Sequence, residues 1–137
     1  MKSSDAVVAG AVAACLSGVP STAWALLTRA DPLEATLAAG SILLPRETRR
    51  GRLLVSAAVT HIGLSLGWAQ VIARLPPRKT VGALAGLAIA AVDLGLVGRR
   101  FPRVRALPLG PQVADHVAYG VIVAVVLRSQ SRKAVRQ

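Results

Sequence analysis

Residues 53–73, LLVSAAVTHIGLSLGWAQVIA, lie between Arg52 and Arg74 and contain no Asp, Glu, Lys or Arg. A helix of roughly 17–25 mostly apolar residues crosses a bilayer core about 30 Å thick, and this stretch has that length. Three further long runs are nearly uncharged, and all 14 arginines and three lysines lie outside the four runs. We therefore predict four membrane spans, at residues 6–28, 53–73, 80–98 and 112–127.

The predicted fold class is all-α: a single domain, residues 1–137, that forms an integral membrane bundle of four transmembrane helices plus one short helix. The short helix, residues 32–44, opens at Asp31-Pro32-Leu33-Glu34, where Asp31 can cap the helix and Glu34 can reach back as in a capping box. At 1.5 Å per residue it is roughly 20 Å long, so we expect it to be interfacial or half-inserted. The alternative is a fifth, tilted span. Residues 128–137 form a basic tail.

Composition indicates the surroundings of the chain. The net charge is +11, but aromatic residues make up only 3%, whereas binding to single-stranded nucleic acid relies on aromatic stacking. The positive charge lies at the span ends, so we expect a bilayer with anionic headgroups as the partner, a multi-pass location in the plasma membrane and no nucleic acid. Eight Lys and Arg side chains fall on one side of the membrane and nine on the other, so the orientation stays undecided.

The first span contains two features with alternative interpretations. Residues 17–22, SGVPST, predict either a simple kink at Pro20 or a broken helix whose second half, from Ser21, presents amide donors to an anion. Cys15 is the single cysteine, which excludes an intramolecular disulfide. We expect a small buried cysteine inside the first helix, and the alternative is a lipobox-like cleavage site.

Small residues recur at a spacing of four along the predicted spans. This spacing puts them on one helix face, where they let two backbones approach closely. We predict helix packing, within one copy or between copies, through Gly63, Gly67, Gly82, Gly86 and Gly120. A homodimer or a complex with a membrane partner is expected, with Gly82 and Gly86 on its interface.

Four ionisable residues inside the spans form a candidate polar cluster: His61, Asp93, Asp115 and His116. Such groups are costly in a membrane and usually face protein or water. In a four-span topology all four share one half of the bilayer. The cluster could fix helix packing, relay protons or ions, hold a metal or bind a substrate. We further expect His61 and Asp93 to touch, because both lie about 20 Å from the turn that joins their helices.

Three stretches carry a resemblance: SGVPSTAWALLTRADPLEATLAAG, AIAAVDLGLVGRR and LPLGPQVADHVAYG. They resemble a group of small bacterial multi-pass membrane proteins of actinobacterial type. The resemblance covers most of the chain and implies no particular activity, cofactor or site.

The chain contains no motif of a known catalytic or metal-binding kind, so we expect neither an enzyme nor a cofactor, and no metal site. The favoured function is a noncatalytic membrane protein that acts by helix packing with itself or a membrane partner. The alternative is a small proton- or ion-coupled carrier that uses the His/Asp cluster.

Overall fold

A computed structural model describes residues 3–135, and the part it describes is helical with no strand. Seven α-helices follow one another: α1 Ser3–Leu16, α2 Val19–Leu27, α3 Glu34–Leu43, α4 Arg50–Ile72, α5 Lys79–Ala90, α6 Pro102–Arg105 and α7 Leu109–Val135. A π-helical segment, Ala91–Val97, and a 3₁₀ turn, Gly98–Arg100, continue α5. The predicted all-α fold is confirmed.

Four helices are long and apolar enough to cross a membrane: Ser3–Leu27, Arg50–Ile72, Lys79–Arg100 and Leu109–Lys133. The last two contain the predicted spans 80–98 and 112–127 and extend them at both ends, whereas the first two begin three residues before the predicted spans 6–28 and 53–73 and end one residue short of them. These four helices are those of a multi-pass membrane protein. They bury only 22–33% of their most apolar windows within the chain, so most of their surface is free to face lipid or another helix.

Helix α2 ends at a left-handed residue. Arg29 has φ 56°, and the amide of Ala30 donates to the Ala25 carbonyl at 2.9 Å, as in a Schellman turn. The chain then reverses into α3, which has ten residues and is about 15 Å long. This is half the hydrocarbon thickness, so α3 is a short apolar helix and not a fifth span.

Helix α3 packs along α4, with Leu37 fully buried and the Gly40 carbonyl accepting a hydrogen bond of 2.8 Å from the Ser56 hydroxyl. Two ion pairs hold its first turn. Asp31 lies 2.7 Å from the Arg50 guanidinium, and Glu34 lies 2.8 Å from that of Arg103. The predicted capping box is therefore wrong: the helix begins at Glu34 with Leu33 as its N-cap and no side-chain cap. Asp31 accepts from the Leu33 amide ahead of the helix, and Glu34 turns to α6 because a cation is available there.

Helices that follow one another in the sequence are not always neighbours in the bundle. Helix α7 packs extensively against α5 and α1, and it also contacts α2 and α4, whereas α4 and α5 contact each other little. The core where these helices meet consists of Ala9, Ala13, Ala69, Ile72, Ile89, Tyr119, Val123 and Leu127. Its alanines let α1 approach closely, and the larger side chains come from α4, α5 and α7.

Glycines make the α5–α7 contact possible. A methyl group added at Gly82 would collide with the Gly120 carbonyl, and one added at Gly86 would collide with the His116 carbonyl. The predicted packing role of Gly82, Gly86 and Gly120 therefore falls within one copy of the chain. The expectation that Gly82 and Gly86 lie on an interface between copies is wrong, because both are buried against α7.

Two other expectations concern residues that lie on the surface of the bundle. No atom of the described residues lies within 4 Å of a methyl group added at Gly63 or Gly67, so these glycines make no close contact in the chain. Cys15 is also exposed, not buried as expected. It faces outward because α1 turns its alanines and Gly10 toward α4 and α7.

Candidate functional site

Two predicted site residues meet between α7 and the π-helical segment after α5. The Nε2 atom of His116 lies 3.5 Å from Oδ2 of Asp93, and each side chain is 21% exposed. The other ring nitrogen, Nδ1, lies 2.7 Å from the Gln112 carbonyl oxygen, one turn earlier on α7. Both nitrogens of the ring therefore face an oxygen.

The close approach of α5 and α7 explains this contact. The two helices are antiparallel, and Gly86 lies against the backbone of His116 and Val117. Side chains lean toward the N-terminus of their own helix. Asp93 therefore leans back toward Gly86 while His116 leans toward Gln112, and the two side chains converge between these levels.

Asp115, the residue before His116 on α7, points to a different helix. Its Oδ1 accepts a hydrogen bond of 2.9 Å from the amide of Ser21. α1 ends at Leu16 and α2 begins at Val19, so the first span is broken here and the early amides of α2 have no partner in the preceding turn. The structure has the break of the broken-helix interpretation, but the second half begins at Val19 and not at Ser21. The amide of Ser21 donates to Asp115 of the same chain.

His61 lies apart from this group. Its Nε2 lies 2.8 Å from the Ala14 carbonyl of α1, and the residue is exposed. The predicted contact between His61 and Asp93 is wrong, because each has a different partner. Equal depth in the membrane does not make two residues neighbours: α1 covers this side of α4, and α7 covers α5.

Two polar contacts were not predicted from the sequence. The hydroxyl of Tyr119, buried in the core, donates to the Ser65 carbonyl of α4. Tyr119 is the single tyrosine and follows Asp115 by one turn, which was the available signal. The other contact is the ion pair of Glu34 with Arg103, which no spacing rule links because 69 residues separate them.

The acids of the connectors outside the spans are held ionised by their neighbours. The Leu33 amide, and then the Arg50 guanidinium, lower the pKa of Asp31 below its usual value. The Arg49 amide, and then the Arg52 guanidinium, lower the pKa of Glu47. Asp31 is exposed and Glu47 partly buried, and both neutralise part of the positive charge at this end of the bundle.

Within residues 3–135, no group of three or more His, Cys, Asp or Glu side chains could hold a metal ion. What the arrangement can do chemically is hold a proton between Asp93 and His116 and fix three helices to one another. No family model, curated protein or solved structure matches the chain. The resemblance to bacterial membrane proteins therefore stays a prediction.

Proposed function

We propose that the chain is a noncatalytic multi-pass protein of the plasma membrane that acts by helix packing with a second copy of itself or with another membrane protein. The observation that supports this most directly is the outer face of α4, which consists of Val55, Val59, Ile62, Gly63 and Gly67. All five residues are exposed, and the three large ones are more than half exposed.

Gly63 and Gly67 distinguish this face from ordinary lipid-facing surface. Glycine inside a helix costs roughly 1 kcal/mol relative to alanine, and close helix contact is the usual compensation in a membrane. Gly10, Gly82, Gly86 and Gly120 have that compensation, since an added methyl group at each would meet an atom of another helix at 3.0 Å or less. Gly63 and Gly67 have none within the described chain, so a helix from outside the chain would supply it.

The polar cluster also supports the proposal, because its side chains are engaged within the chain. Asp93, Asp115 and His116 each contact a polar group of the chain itself. The cluster therefore serves contacts between helices without any substrate, which suits a protein that acts by packing.

The bilayer is the second partner in this proposal. Six arginines at the end of the bundle that includes α3 and α6 form no ion pair among the described residues: Arg29, Arg46, Arg49, Arg99, Arg100 and Arg105. Basic groups at this depth attract anionic headgroups by about 1 kcal/mol each.

The proposal predicts that bulk on the outer face of α4 weakens association. Gly63→Ile or Gly67→Ile should reduce the association constant in bilayers by about tenfold, or about 1.4 kcal/mol, because a branched side chain separates the two backbones. Energy transfer between differently labelled copies in bilayers measures this. Ala88→Ile, which places the same side chain at an exposed position of α5, is the matched control and should leave association unchanged.

A photo-crosslinker at Gly67 in native membranes tests the partner form of the proposal. Its adduct, with a second copy or with another membrane protein, should disappear in the Gly63→Ile background. A chain that is monomeric in bilayers and also gives no such adduct would contradict the proposed function.

A further inference from the structure

Different ring nitrogens of the two histidines face a backbone carbonyl. A backbone carbonyl only accepts hydrogen bonds, so the nitrogen that faces it carries a hydrogen. For His61 that nitrogen is Nε2, which faces Ala14. For His116 it is Nδ1, which faces Gln112.

The second nitrogen of His116 then determines the charge of the pair. Nε2 faces the carboxyl group of Asp93, and two arrangements satisfy both atoms. In one, the ring is a cation and donates from Nε2 to an ionised carboxylate. In the other, the ring is neutral and accepts at Nε2 from a protonated carboxylic acid. Both arrangements give the pair one proton, on Nε2 or on Oδ2, and both are electrically neutral.

The arrangement with no proton on either Nε2 or the Asp93 carboxylate is unfavourable inside the span. A ring protonated only at Nδ1 beside an ionised Asp93 would set two lone pairs against each other. It would also leave a net negative charge inside the span, where insertion scales place the cost of a charge near 2.5–3.5 kcal/mol. The other groups near the pair increase this cost, because Asp115 adds a second acid on α7.

We propose that Asp93 and His116 form a proton-binding site in which one shared proton joins the π-helical segment of α5 to α7, so that loss of the proton releases this segment. The inference is independent of the packing function proposed above. It requires proton binding alone, with no passage of protons across the membrane.

The π-helical segment is suited to such a release. Within Ala91–Val97 no residue is buried, so apolar packing holds this segment weakly. Gly95 has no atom of the described chain within 4 Å of an added methyl group. The contact of Asp93 with His116 is a polar attachment of this segment to α7. π-Helical turns inside α-helices are frequent at functional sites.

The charged and titratable groups around the site are few. On α7 they are Asp115, whose carboxylate is held by the Ser21 amide of α2, and Tyr119, whose hydroxyl is engaged with Ser65. On α4, His61 bonds to the Ala14 carbonyl of α1. None of these groups bonds to the pair, so its own proton determines its state.

Nitrogen NMR of histidine-labelled protein in bilayers, combined with the carboxyl-carbon shift of Asp93, tests the proposal. At neutral pH His61 should be protonated at Nε2. His116 should be protonated at Nδ1 and share a second proton with Asp93, either on the ring or on the carboxyl group. An Asp93 carboxylate that is ionised beside a singly protonated His116 ring would overturn the proposal.

Two variants supply the controls. Asp93→Asn should leave His116 as a neutral ring at neutral pH, with its Nε2 accepting from the amide. His61→Gln should leave the signals of His116 unchanged, because His61 contacts α1.

Hydrogen exchange of residues 91–98 gives a second readout that does not depend on a variant. In the wild type, exchange should step upward at the pH where the shared proton is lost, beyond the general rise with pH that control amides of α4 report. Asp93→Asn should remove this step. A wild-type profile without the step would show that the proton does not hold the segment.

Discussion

The α5–α7 contact and the outer face of α4 have the same sequence pattern and different surroundings. Gly82 and Gly86 are buried against the backbone of α7, whereas Gly63 and Gly67 have no neighbour in the described chain. Both pairs have a spacing of four on an apolar helix. Glycines at a spacing of four therefore indicate a helix surface suited to close contact, while the arrangement of the helices determines which helix makes that contact.

The largest effect should come from filling the α5–α7 contact. In Gly82→Ile or Gly86→Ile the new side chain meets the carbonyl of Gly120 or His116, and neither backbone can move without separating the helices. Overpacking usually costs about 1–3 kcal/mol and occasionally more, so we expect a loss of about 3 kcal/mol or a chain that does not fold.

Unfolding in mixed micelles measures this loss, with Gly63→Ile as the matched variant on α4. Gly63→Ile should keep the free energy of unfolding of a single copy within about 0.5 kcal/mol of the wild type, as expected for a surface position. Equal destabilisation by both substitutions would remove the distinction between the two surfaces.

A smaller effect should come from the inner face of α4, which contrasts with its outer face. Tyr119→Phe removes the hydrogen bond to the Ser65 carbonyl and keeps the packed ring. Interhelical hydrogen bonds in membranes contribute about 0.6–1.7 kcal/mol, so we expect a loss of about 1 kcal/mol with no change in association. Unfolding and association measured on the same sample separate the two faces. Weakened association with unchanged stability would contradict this assignment.

The smallest effect should come from the start of α4, where Arg50 pairs with Asp31. The pKa of Asp31 is lowered in the folded chain, so its ionised form contributes stability above its unfolded pKa of about 3.9, and this contribution is lost as the pH falls through the folded value. Asp31→Asn keeps the acceptor for Leu33 but loses the charge that pairs with Arg50.

Because the pair is exposed, Asp31→Asn should lower the thermal unfolding midpoint only slightly at pH 7, and less at high salt. The midpoints of variant and wild type should converge as the pH falls below the lowered pKa of Asp31. A difference that persists at low pH would mean that the charge of Asp31 is not its cause.

The sequence predicted the helices well because their signals are local. Run length and the position of arginines placed all four spans, and Pro32 placed the short helix. Proline and glycine near residue 18 indicated the break in the first span. What could not be predicted is which faces meet, since a helix rotated about its axis keeps the same spans and depths.

The candidate site shows the same limit. Depth correctly put Asp93 and His116 in one half of the membrane, but their contact depends on the α5–α7 approach and on a π-helical turn that no residue type signals. His61 has nearly the same depth and bonds to α1, because α1 lies along that side of α4. Which residues on different helices contact each other depends on the spatial order of the helices, and the sequence does not give that order.

That spatial order has a consequence for how the chain is made. Helix α7 follows the other spans in the chain, yet it contacts α1, α2, α4 and α5. During synthesis the earlier spans must wait in the bilayer with Gly82 and Gly86 uncovered and the break before Ser21 without its acid. Insertion of α7 supplies these missing contacts together, so the α5–α7 contact and the bond between Ser21 and Asp115 form only after α7 has entered the bilayer, whereas α1, α3 and α4 can pack before it.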